Sequence, residues 1–363
     1  MEKDIVVLYL ENFEDRAKKL NSFLQEFYET DANFLVKAKS VRFSNGEGKV
    51  VIEHSIRNKI VFLVSDISNY SLTYQMLGFE NHYSPDDHFT DIKRTISAIA
   101  GKAEKLYVVM PLLYESRQHR RSMRESLDCA LALHELEKMG VNGIITFDAH
   151  DPNIQNAVST MSFDSFFPSY PILKSVIENE KKKIDSNNMV VISPDIGAMQ
   201  RATNYANMLG LDVGIFYKRR DFTQVINGKN PVVEHVYLGS KIAGKNIMIV
   251  DDMLASGGSI IDVINELSHK GIKGASIITT FAFFTSGTQK FDELYENGLL
   301  NKIYATNLCY IPEEIKNKPW LECVDIIKFL AKIIYAIGSG KSISSMIDST
   351  EKIKQLLLQH NQE

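Results

Sequence analysis

The residue types needed to bind a phosphorylated sugar occur together in Ile247–Ile260. An apolar run leads into Asp251 and Asp252, then into the turn Ser256-Gly257-Gly258-Ser259 and a helix-like stretch. Backbone N–H groups in such a turn can point at one anion, and the helix N-terminus adds positive charge. The two carboxylates could accept hydrogen bonds from ribose hydroxyls or bind hydrated Mg²⁺. The alternative is an ordinary strand–turn–helix junction with Ser256 as N-cap, but the combination favours a phosphorylated-sugar site.

A second group of candidates could bind further phosphates. Arg117 and Gln118 follow an apolar run that ends at Met110, and a guanidinium presents a planar fork of donors that suits phosphate oxygens. The alternative is a solvated, basic start of a helix, because Arg120 and Arg121 follow closely.

Two residues at expected strand ends could serve a metal ion or phosphate. His150 follows an apolar run and Asp148, and Asp195 follows Met189–Ile192. Open α/β sheets bind ligands at the carboxyl ends of their strands, and Mg²⁺ needs only one or two protein carboxylates besides substrate phosphates. A lone histidine is more often structural, however, and Asp195 could simply cap a helix.

Lys218 and Arg220 open a stretch whose Asn227-Gly-Lys-Asn-Pro231 predicts a hairpin or a mobile loop. Cationic side chains there could neutralise charge on a phosphoryl group in transfer, whereas the alternative is a solvated basic turn. Phe43 could stack on a purine, with Asn45 and Glu47 bonding its edge. A hairpin turn at Asn45-Gly46 would explain only part of that set.

The elements that must position these residues alternate along the chain. Apolar runs without polar alternation predict parallel strands covered on both faces, with helices such as Asp91–Ala100 between them. The predicted strands are Ile60–Val64, Lys105–Met110, Gly143–Phe147, Met189–Ile192, Val213–Phe216, Asn246–Val250 and Ala275–Thr280.

Length and composition limit the class of protein. At 363 residues the chain is expected to form about two domains. A net charge of −4 argues against a general nucleic-acid binder. No apolar run approaches the length needed to span a bilayer. The three dispersed cysteines fit a reducing compartment, so we expect a cytoplasmic protein.

Six segments, taken in order, resemble the ribose-phosphate pyrophosphokinase family, whose fold is that of the type I phosphoribosyltransferases. The segments are Arg42-Phe-Ser-Asn-Gly-Glu47, Pro111-Leu-Leu-Tyr-Glu-Ser-Arg-Gln-His-Arg120, Asp148-Ala-His150, Ser193-Pro-Asp-Ile-Gly197, Lys218-Arg-Arg220 and the Asp251–Ser259 loop. The resemblance covers roughly residues 5 to 335.

The resemblance implies an α/β fold with two related phosphoribosyltransferase-like domains, each a mainly parallel sheet flanked by helices. We place an N-terminal domain with the ATP-binding motifs at 1–165, a C-terminal domain at 166–335, and a helical tail at 336–363. The implied reaction transfers the diphosphoryl group of ATP to the 1-hydroxyl of ribose 5-phosphate, giving AMP and phosphoribosyl pyrophosphate. Mg²⁺ is the implied cofactor. The chain is expected to form a homo-oligomer, with adenine bound at a subunit interface.

Roles carry over to the matching positions only as implications of the resemblance. ATP would contact Phe43, Asn45, Glu47, Arg117, Gln118 and His150. Ribose 5-phosphate would contact Asp195, Asp251, Asp252, Ser256, Gly257, Gly258 and Ser259. His150 and Asp195 would serve the metal, and Lys218 and Arg220 would be catalytic.

The sequence departs from the family pattern at three places. His119 and Ala255 stand where the family has aspartates, and Tyr70–Pro85 is an apparent insertion. Two alternatives remain beside an active synthetase, the first motivated by Ala255 and His119 and the second by the Asp251–Ser259 loop that it would share. One is a catalytically weak paralogue with a regulatory or structural role; the other is a salvage phosphoribosyltransferase, which would not explain the ATP-like motifs.

Overall fold

The computed structural model describes residues 4–121, 124–181, 183–220, 232–347 and 349–362; the side chains of 218–220, 232–235, 345 and 347 lie outside that description. The strands are β1 Ile5–Tyr9, β2 Leu35–Arg42, β3 Gly48–Ile52, β4 Ile60–Val64, β5 Thr73–Met76, β6 Phe79–His82, β7 Lys105–Val109, β8 Gly143–Phe147, β9 Ser162–Phe166, β10 Met189–Ser193, β11 Asp212–Arg220, β12 Val232–Leu238, β13 Asn246–Leu254, β14 Gly274–Ala282, β15 Leu300–Thr306 and β16 Leu321–Val324. The helices are α1 Glu14–Tyr28, α2 Pro85–Ile99, α3 Asp128–Lys138, α4 Ser169–Asn179, α5 Met199–Leu209, α6 Gly258–Ser268, α7 Gln289–Glu296, α8 Glu313–Lys316, α9 Ile327–Gly338, α10 Ser344–Ile347 and α11 Thr350–Gln362.

The first large sheet has the strand order β3-β2-β1-β4-β7-β8-β9. Its strands pair in parallel except for β3, which runs antiparallel to β2. Every residue of β1, β4 and β8 is buried, as expected when helices cover both faces of a parallel sheet.

The second large sheet repeats this plan with the order β12-β11-β10-β13-β14-β15-β16. Again only the edge strand β12 is antiparallel, here to β11. The predicted α/β fold of two related domains is confirmed, since each sheet combines an edge hairpin with a parallel array.

By contacts the chain divides into one unit of residues 1–168, 308–310 and 325–348, and a second of 169–307, 311–324 and 349–363. Residues 325–335, predicted to belong to the C-terminal domain, lie instead in the first unit. There α9 packs on α1, with the rings of Tyr28 and Tyr335 4.7 Å apart. Helix α9 is apolar and buries Ile327, Leu330 and Ile334. The unit to which it belongs is therefore set by its packing and not by its position in the chain.

The predicted helical tail is divided between the units. Helix α10 lies in the first unit and α11 in the second, where the Asn361 side chain bonds both the backbone N–H and carbonyl of Ile184 at 3.0 and 3.1 Å. None of the described helices is long and apolar enough to cross a membrane.

The apparent insertion at 70–85 forms a separate hairpin of β5 and β6, which pair antiparallel. After the hairpin comes Ser84, the N-cap of α2, whose hydroxyl and the Asp87 carboxylate form a reciprocal capping box. This cap, with Pro85 at the first helical position, explains why α2 begins six residues before the predicted Asp91.

Candidate active site

The glycine-rich segment forms the junction predicted from its sequence, but β13 is longer than expected. It continues through Asp251 and Asp252 to Leu254, because Met253 and Leu254 pair with Phe281 and Ala282 of β14. Asp252 is buried at 2% exposure. The two carboxylates therefore belong to a rigid strand and not to a flexible turn.

Residues 255–257 connect this strand to α6 in a conformation that requires glycine. Gly257 has φ +77°, and a Cβ there would lie 2.3 Å from the Phe291 ring. The first hydrogen bond within the helix runs from the Ile261 N–H to the Gly257 carbonyl at 2.9 Å. The N–H groups of Gly258 and Ser259 thus precede the helix ladder, and the side chains of Ser256 and Ser259 are exposed. This is the geometry of an anion site at a helix N-terminus.

The alternative role of Ser256 as a helix cap receives little support. Its hydroxyl lies 3.5 Å from the Gly258 N–H, at the outer limit of a hydrogen bond. The hydroxyl is consequently available to a ligand.

Several charged groups surround the paired acids. Burial raises the pKa of Asp251 well above its usual range, and the Asp252 and Asp195 carboxylates raise it further, while Arg201 opposes them. The Nη1 atom of Arg201 lies 4.0 Å from the Oδ1 atom of Asp252. Clustered carboxylates of this kind suit ribose hydroxyls or a hydrated cation.

Asp195 has a structural role and an exposed carboxylate at once. Its Oδ1 accepts a hydrogen bond from the Ala198 N–H at 3.1 Å, as a residue at the start of α5 would. Since β10 and β13 are parallel neighbours, Asp195 lies at the same sheet edge as Asp251 and the glycine-rich loop. The structure therefore brings together all the residues predicted to bind ribose 5-phosphate.

In the first unit, the loops after β7 and β8, which carry the predicted triphosphate residues, meet at His119. His119 and His150 have ring centroids 5.4 Å apart, and the Nε2 atom of His119 lies 3.3 Å from the Asp151 carboxylate. Arg117 is exposed on the same loop as His119. Asp148 directly follows β8 with φ +43°, and its N–H donates to the Phe166 carbonyl at 2.9 Å. This conformation turns the chain sharply before His150.

The predicted purine loop, Phe43–Glu47, lies elsewhere in that unit. It joins β2 to β3, so β1 and β4 separate it from β7 in the sheet. With strands about 4.8 Å apart, that separation amounts to roughly 15 Å across the sheet. The loop closes through Gly46 N–H to Phe43 carbonyl at 2.9 Å, and the Asn45 amide bonds Glu47 at 2.9 Å. Phe43 remains 46% exposed.

The predicted catalytic pair, Lys218 and Arg220, has its backbone at the end of β11, where Lys218 pairs with His235 of β12. Strands β11 and β12 pair antiparallel, as the hairpin alternative of the sequence analysis expects. Residues 221–231 and the side chains of Lys218 and Arg220 lie outside the described residues, so the mobile-loop alternative remains a prediction.

Two residues were missed by sequence reasoning. Arg201 stands in the first turn of α5, six residues after Asp195, and Asp151 directly follows His150. The only available signal was their nearness to motif residues. Among the described residues no group of three or more His, Cys, Asp or Glu side chains could by itself hold a metal ion.

Comparison with known proteins adds two family matches in order along the chain. Residues 13–140 match the family model of the N-terminal domain of ribose phosphate pyrophosphokinase, and residues 163–306 match that of the phosphoribosyl transferase domain. Together the two matches span well over half of the chain.

Curated relatives are similar over nearly their full length. The ribose-phosphate pyrophosphokinase of Aquifex aeolicus is 29% identical over 318 residues, covering 86% of this chain and 91% of that protein. That of Ureaplasma parvum is 28% identical over 362 residues, covering 96% of each. The crystal structure of phosphoribosylpyrophosphate synthetase from Mycobacterium smegmatis matches with a TM-score of 0.73 at 20% identity, over 92% of this chain and 99% of that one.

Proposed function

We propose that the chain, since it belongs to the ribose-phosphate pyrophosphokinase family, is a ribose-phosphate diphosphokinase. It transfers the β,γ-diphosphoryl group of ATP to the anomeric hydroxyl of ribose 5-phosphate. The observation that carries this proposal is the order of the two family matches, together with the Ureaplasma parvum relative, whose match covers 96% of both chains. A salvage phosphoribosyltransferase would not explain the N-terminal match.

The reaction forms one bond and breaks one. The anomeric oxygen attacks the β-phosphorus, the bond from that phosphorus to the oxygen bridging it to the α-phosphorus breaks, and AMP departs with that oxygen. The hydroxyl proton passes to solvent or to a nearby base. Little covalent chemistry is asked of the protein, so catalysis depends on positioning and charge neutralisation.

Ribose 5-phosphate binds in the second unit. Its phosphate binds the N–H groups of Gly258 and Ser259, because both groups precede the first hydrogen bond of α6. The phosphate also binds the hydroxyl of Ser256, which is exposed. Asp251 and Asp252 accept hydrogen bonds from the ribose hydroxyls. Hydrogen bonds from hydroxyl donors would stabilise the ionised form of Asp251 and so oppose the burial that raises the pKa of this group.

The triphosphate binds Arg117, Gln118 and His150 in the first unit, where the guanidinium is exposed and the loops after β7 and β8 meet. Lys218 and Arg220 neutralise the charge on the group in transfer.

Mg²⁺ is the cofactor in this proposal. Asp195 offers one exposed carboxylate to such an ion. Among the described residues no group of three or more His, Cys, Asp or Glu side chains could hold it, which fits a cation bound mainly by substrate phosphates and water. His150 is better suited to the phosphates, because Mg²⁺ prefers oxygen ligands. When bound, the ion neutralises charge on the diphosphoryl group.

The distance of the Phe43–Glu47 loop from β7 and β8 supports a site shared between copies. A nucleotide whose phosphates contact Arg117 of one copy would have its base against Phe43, Asn45 and Glu47 of another. We place this homo-oligomer in the cytoplasm.

The function is tested by incubating the protein with ATP, Mg²⁺ and ribose 5-phosphate and measuring AMP. We expect AMP to form only with all three present. An Ala255→Asp variant, tested in parallel, restores the acid of the family pattern and should be at least as active. If neither protein forms AMP, the proposed reaction is wrong.

The shared site has a separate test. Phe43→Ala and Arg117→Ala variants should each be weak, and mixing them under conditions that exchange subunits should restore activity. No gain on mixing, with exchange shown by differently tagged chains, would contradict a shared site.

A further inference from the structure

We propose that the inserted hairpin, β5 and β6 with their turn, braces the Phe43–Glu47 loop and thereby sets the affinity and selectivity for the nucleotide base. This inference rests on the proposed function, because it assigns the base of ATP to that loop. It accounts for a segment that the family resemblance leaves unexplained.

The tip of the hairpin is bonded to the tip of the loop. The backbone N–H of Leu77 donates to the carbonyl of Ser44 at 2.8 Å. Ser44 lies between Phe43 and Asn45, two of the residues assigned to the base. A hydrogen bond to this peptide unit therefore limits movement on both sides of it.

A side-chain contact reinforces this bond. Met76 lies directly over Gly46, since a Cβ at Gly46 would be only 2.7 Å from the Met76 sulfur. Gly46 has φ +92°, a conformation that the loop needs to turn between Asn45 and Glu47. The thioether thus covers the residue that shapes the turn.

The base of the hairpin is fixed to the residue that precedes the loop. The Arg42 guanidinium lies 5.4 Å from the Tyr74 ring centroid and 4.9 Å from that of Tyr83. It also bonds the Asp91 carboxylate of α2 at 3.1 Å. The loop is held at its start through Arg42 and at its tip through Met76 and Leu77.

The turn of the hairpin is itself unusual. Leu77 and Gly78 have φ +52° and +85°, and Leu77 is 74% exposed. A two-residue turn with both φ values positive normally takes Asn, Asp or Gly at its first position. Strain retained at such a position often marks a functional contact, and here it points the Leu77 N–H at Ser44.

Preorganisation explains the expected effect on the substrate. A loop that is already ordered loses less entropy when it binds a ligand. Removing the Met76 side chain should raise the KM for ATP roughly three- to tenfold, while kcat and the KM for ribose 5-phosphate change little. The variant should also be less selective: the ratio of kcat/KM for ATP to kcat/KM for GTP should fall, because a less ordered loop aligns Asn45 and Glu47 less well with the base.

The test compares four variants of the full chain. Met76→Ala removes the thioether, and Met76→Leu should restore most of the affinity because its volume is similar. Gln75→Ala, on the opposite face of the same strand, is the matched control and should behave as wild type. Leu77→Asn keeps the N–H donor and favours the left-handed conformation, so it should also preserve the KM for ATP.

The outcomes separate the brace from other roles. If wild type forms AMP and Met76→Ala keeps both its KM for ATP and its base selectivity, the brace is wrong while the proposed function stands. If wild type forms no AMP, the proposed function itself fails. An increase in KM with Gln75→Ala or Leu77→Asn, or a lower oligomer mass of Met76→Ala by sedimentation, would also overturn a brace acting through Met76 and the Leu77 N–H.

Discussion

The imidazole of His119 is held beside the carboxylate of Asp151, with Nε2 and Oδ2 3.3 Å apart. On its other side, Nδ1 of His119 lies 3.2 Å from the carbonyl of Ser116. The family pattern has an acid at position 119, whereas here the acid near that position comes from the loop after β8. The pair joins two loops that carry Arg117 and His150, so it fixes the proposed triphosphate site.

This relationship predicts the outcome of restoring the family residue. His119→Asp would place a second carboxylate beside Asp151, and repulsion between like charges should lower kcat/KM for ATP roughly five- to tenfold. The double variant His119→Asp with Asp151→Ala carries one carboxylate again and should recover most of the loss. Steady-state kinetics with ATP varied would measure both. An unaffected single variant, or a double variant no better than the single one, would contradict the pairing.

The glycine-rich loop predicts a steric effect that can be separated from backbone strain. Gly257→Ala adds a Cβ 2.3 Å from the Phe291 ring at φ +77°, whereas Gly271→Ala adds one at φ +78° with its nearest contact 3.9 Å away. In both variants an alanine must adopt a left-handed backbone conformation. Only Gly257→Ala also creates a steric clash, which should lower the free energy of unfolding by about 1–3 kcal/mol more.

Differential scanning calorimetry and ribose 5-phosphate titration would measure these variants. We expect Gly257→Ala to melt lower than Gly271→Ala and to lose affinity for ribose 5-phosphate. Equal melting temperatures with unchanged affinity would show that the loop relaxes without cost.

The proposed transfer assigns charge neutralisation to Lys218. Lys218→Ala should raise the activation free energy by about 2–4 kcal/mol and so lower kcat. The affinity for ribose 5-phosphate should not change, because the residues assigned to that sugar phosphate lie elsewhere. Arg219→Ala, a neighbour without an assigned role, serves as the control. Equal kcat values for Lys218→Ala and wild type would remove Lys218 from the mechanism.

A stability prediction follows from Glu137 at the end of α3. Hydrogen bonds from the Thr160 hydroxyl and from the N–H groups of Thr160, Met161 and Ser159 lower the pKa of Glu137 to about 2. An unfolded glutamate has a pKa of about 4.3. The ionised group therefore stabilises the fold above about pH 4.3, and that contribution is lost as pH falls toward 2.

Glu137→Gln should consequently have a lower Tm than wild type at pH 7, with the difference shrinking between pH 4 and 2. Thermal melts followed by circular dichroism would show it. Asp31→Asn, at an exposed position of the same unit, should show no such gap. A Glu137→Gln difference that persists undiminished at pH 2 would assign the effect to packing and not to charge.

Much of the fold could be predicted because buried parallel strands are marked locally. Ile60–Val64 and Gly143–Phe147 have the predicted bounds, since neither run alternates apolar and polar residues and Thr146 is the one polar side chain in them. The end of β13 could not be predicted, because Asp251 and Asp252 are polar residues kept in the strand by pairing with β14. The hairpin turn at Leu77-Gly78 also escaped prediction, since leucine is not a residue that signals such a turn.

The candidate site, like the fold, could be predicted only in part. The Ser256–Ser259 loop was recognisable because phosphate binding by a strand–turn–helix junction depends on consecutive residues. The proximity of His119 to Asp151 and of Arg201 to Asp252 depends on residues distant in sequence. Only the packing of neighbouring strands and helices brings such pairs together, so the single sequence carried no signal for them.

The most direct test of the account is to follow both transferred phosphorus atoms. ATP labelled at the β position and, separately, ATP labelled at the γ position would be incubated with the protein, Mg²⁺ and ribose 5-phosphate. Transfer of a diphosphoryl group predicts that both labels enter the sugar product in equal molar amounts, matched by unlabelled AMP. Transfer of the γ label alone with formation of ADP, or of neither label, would contradict the assignment.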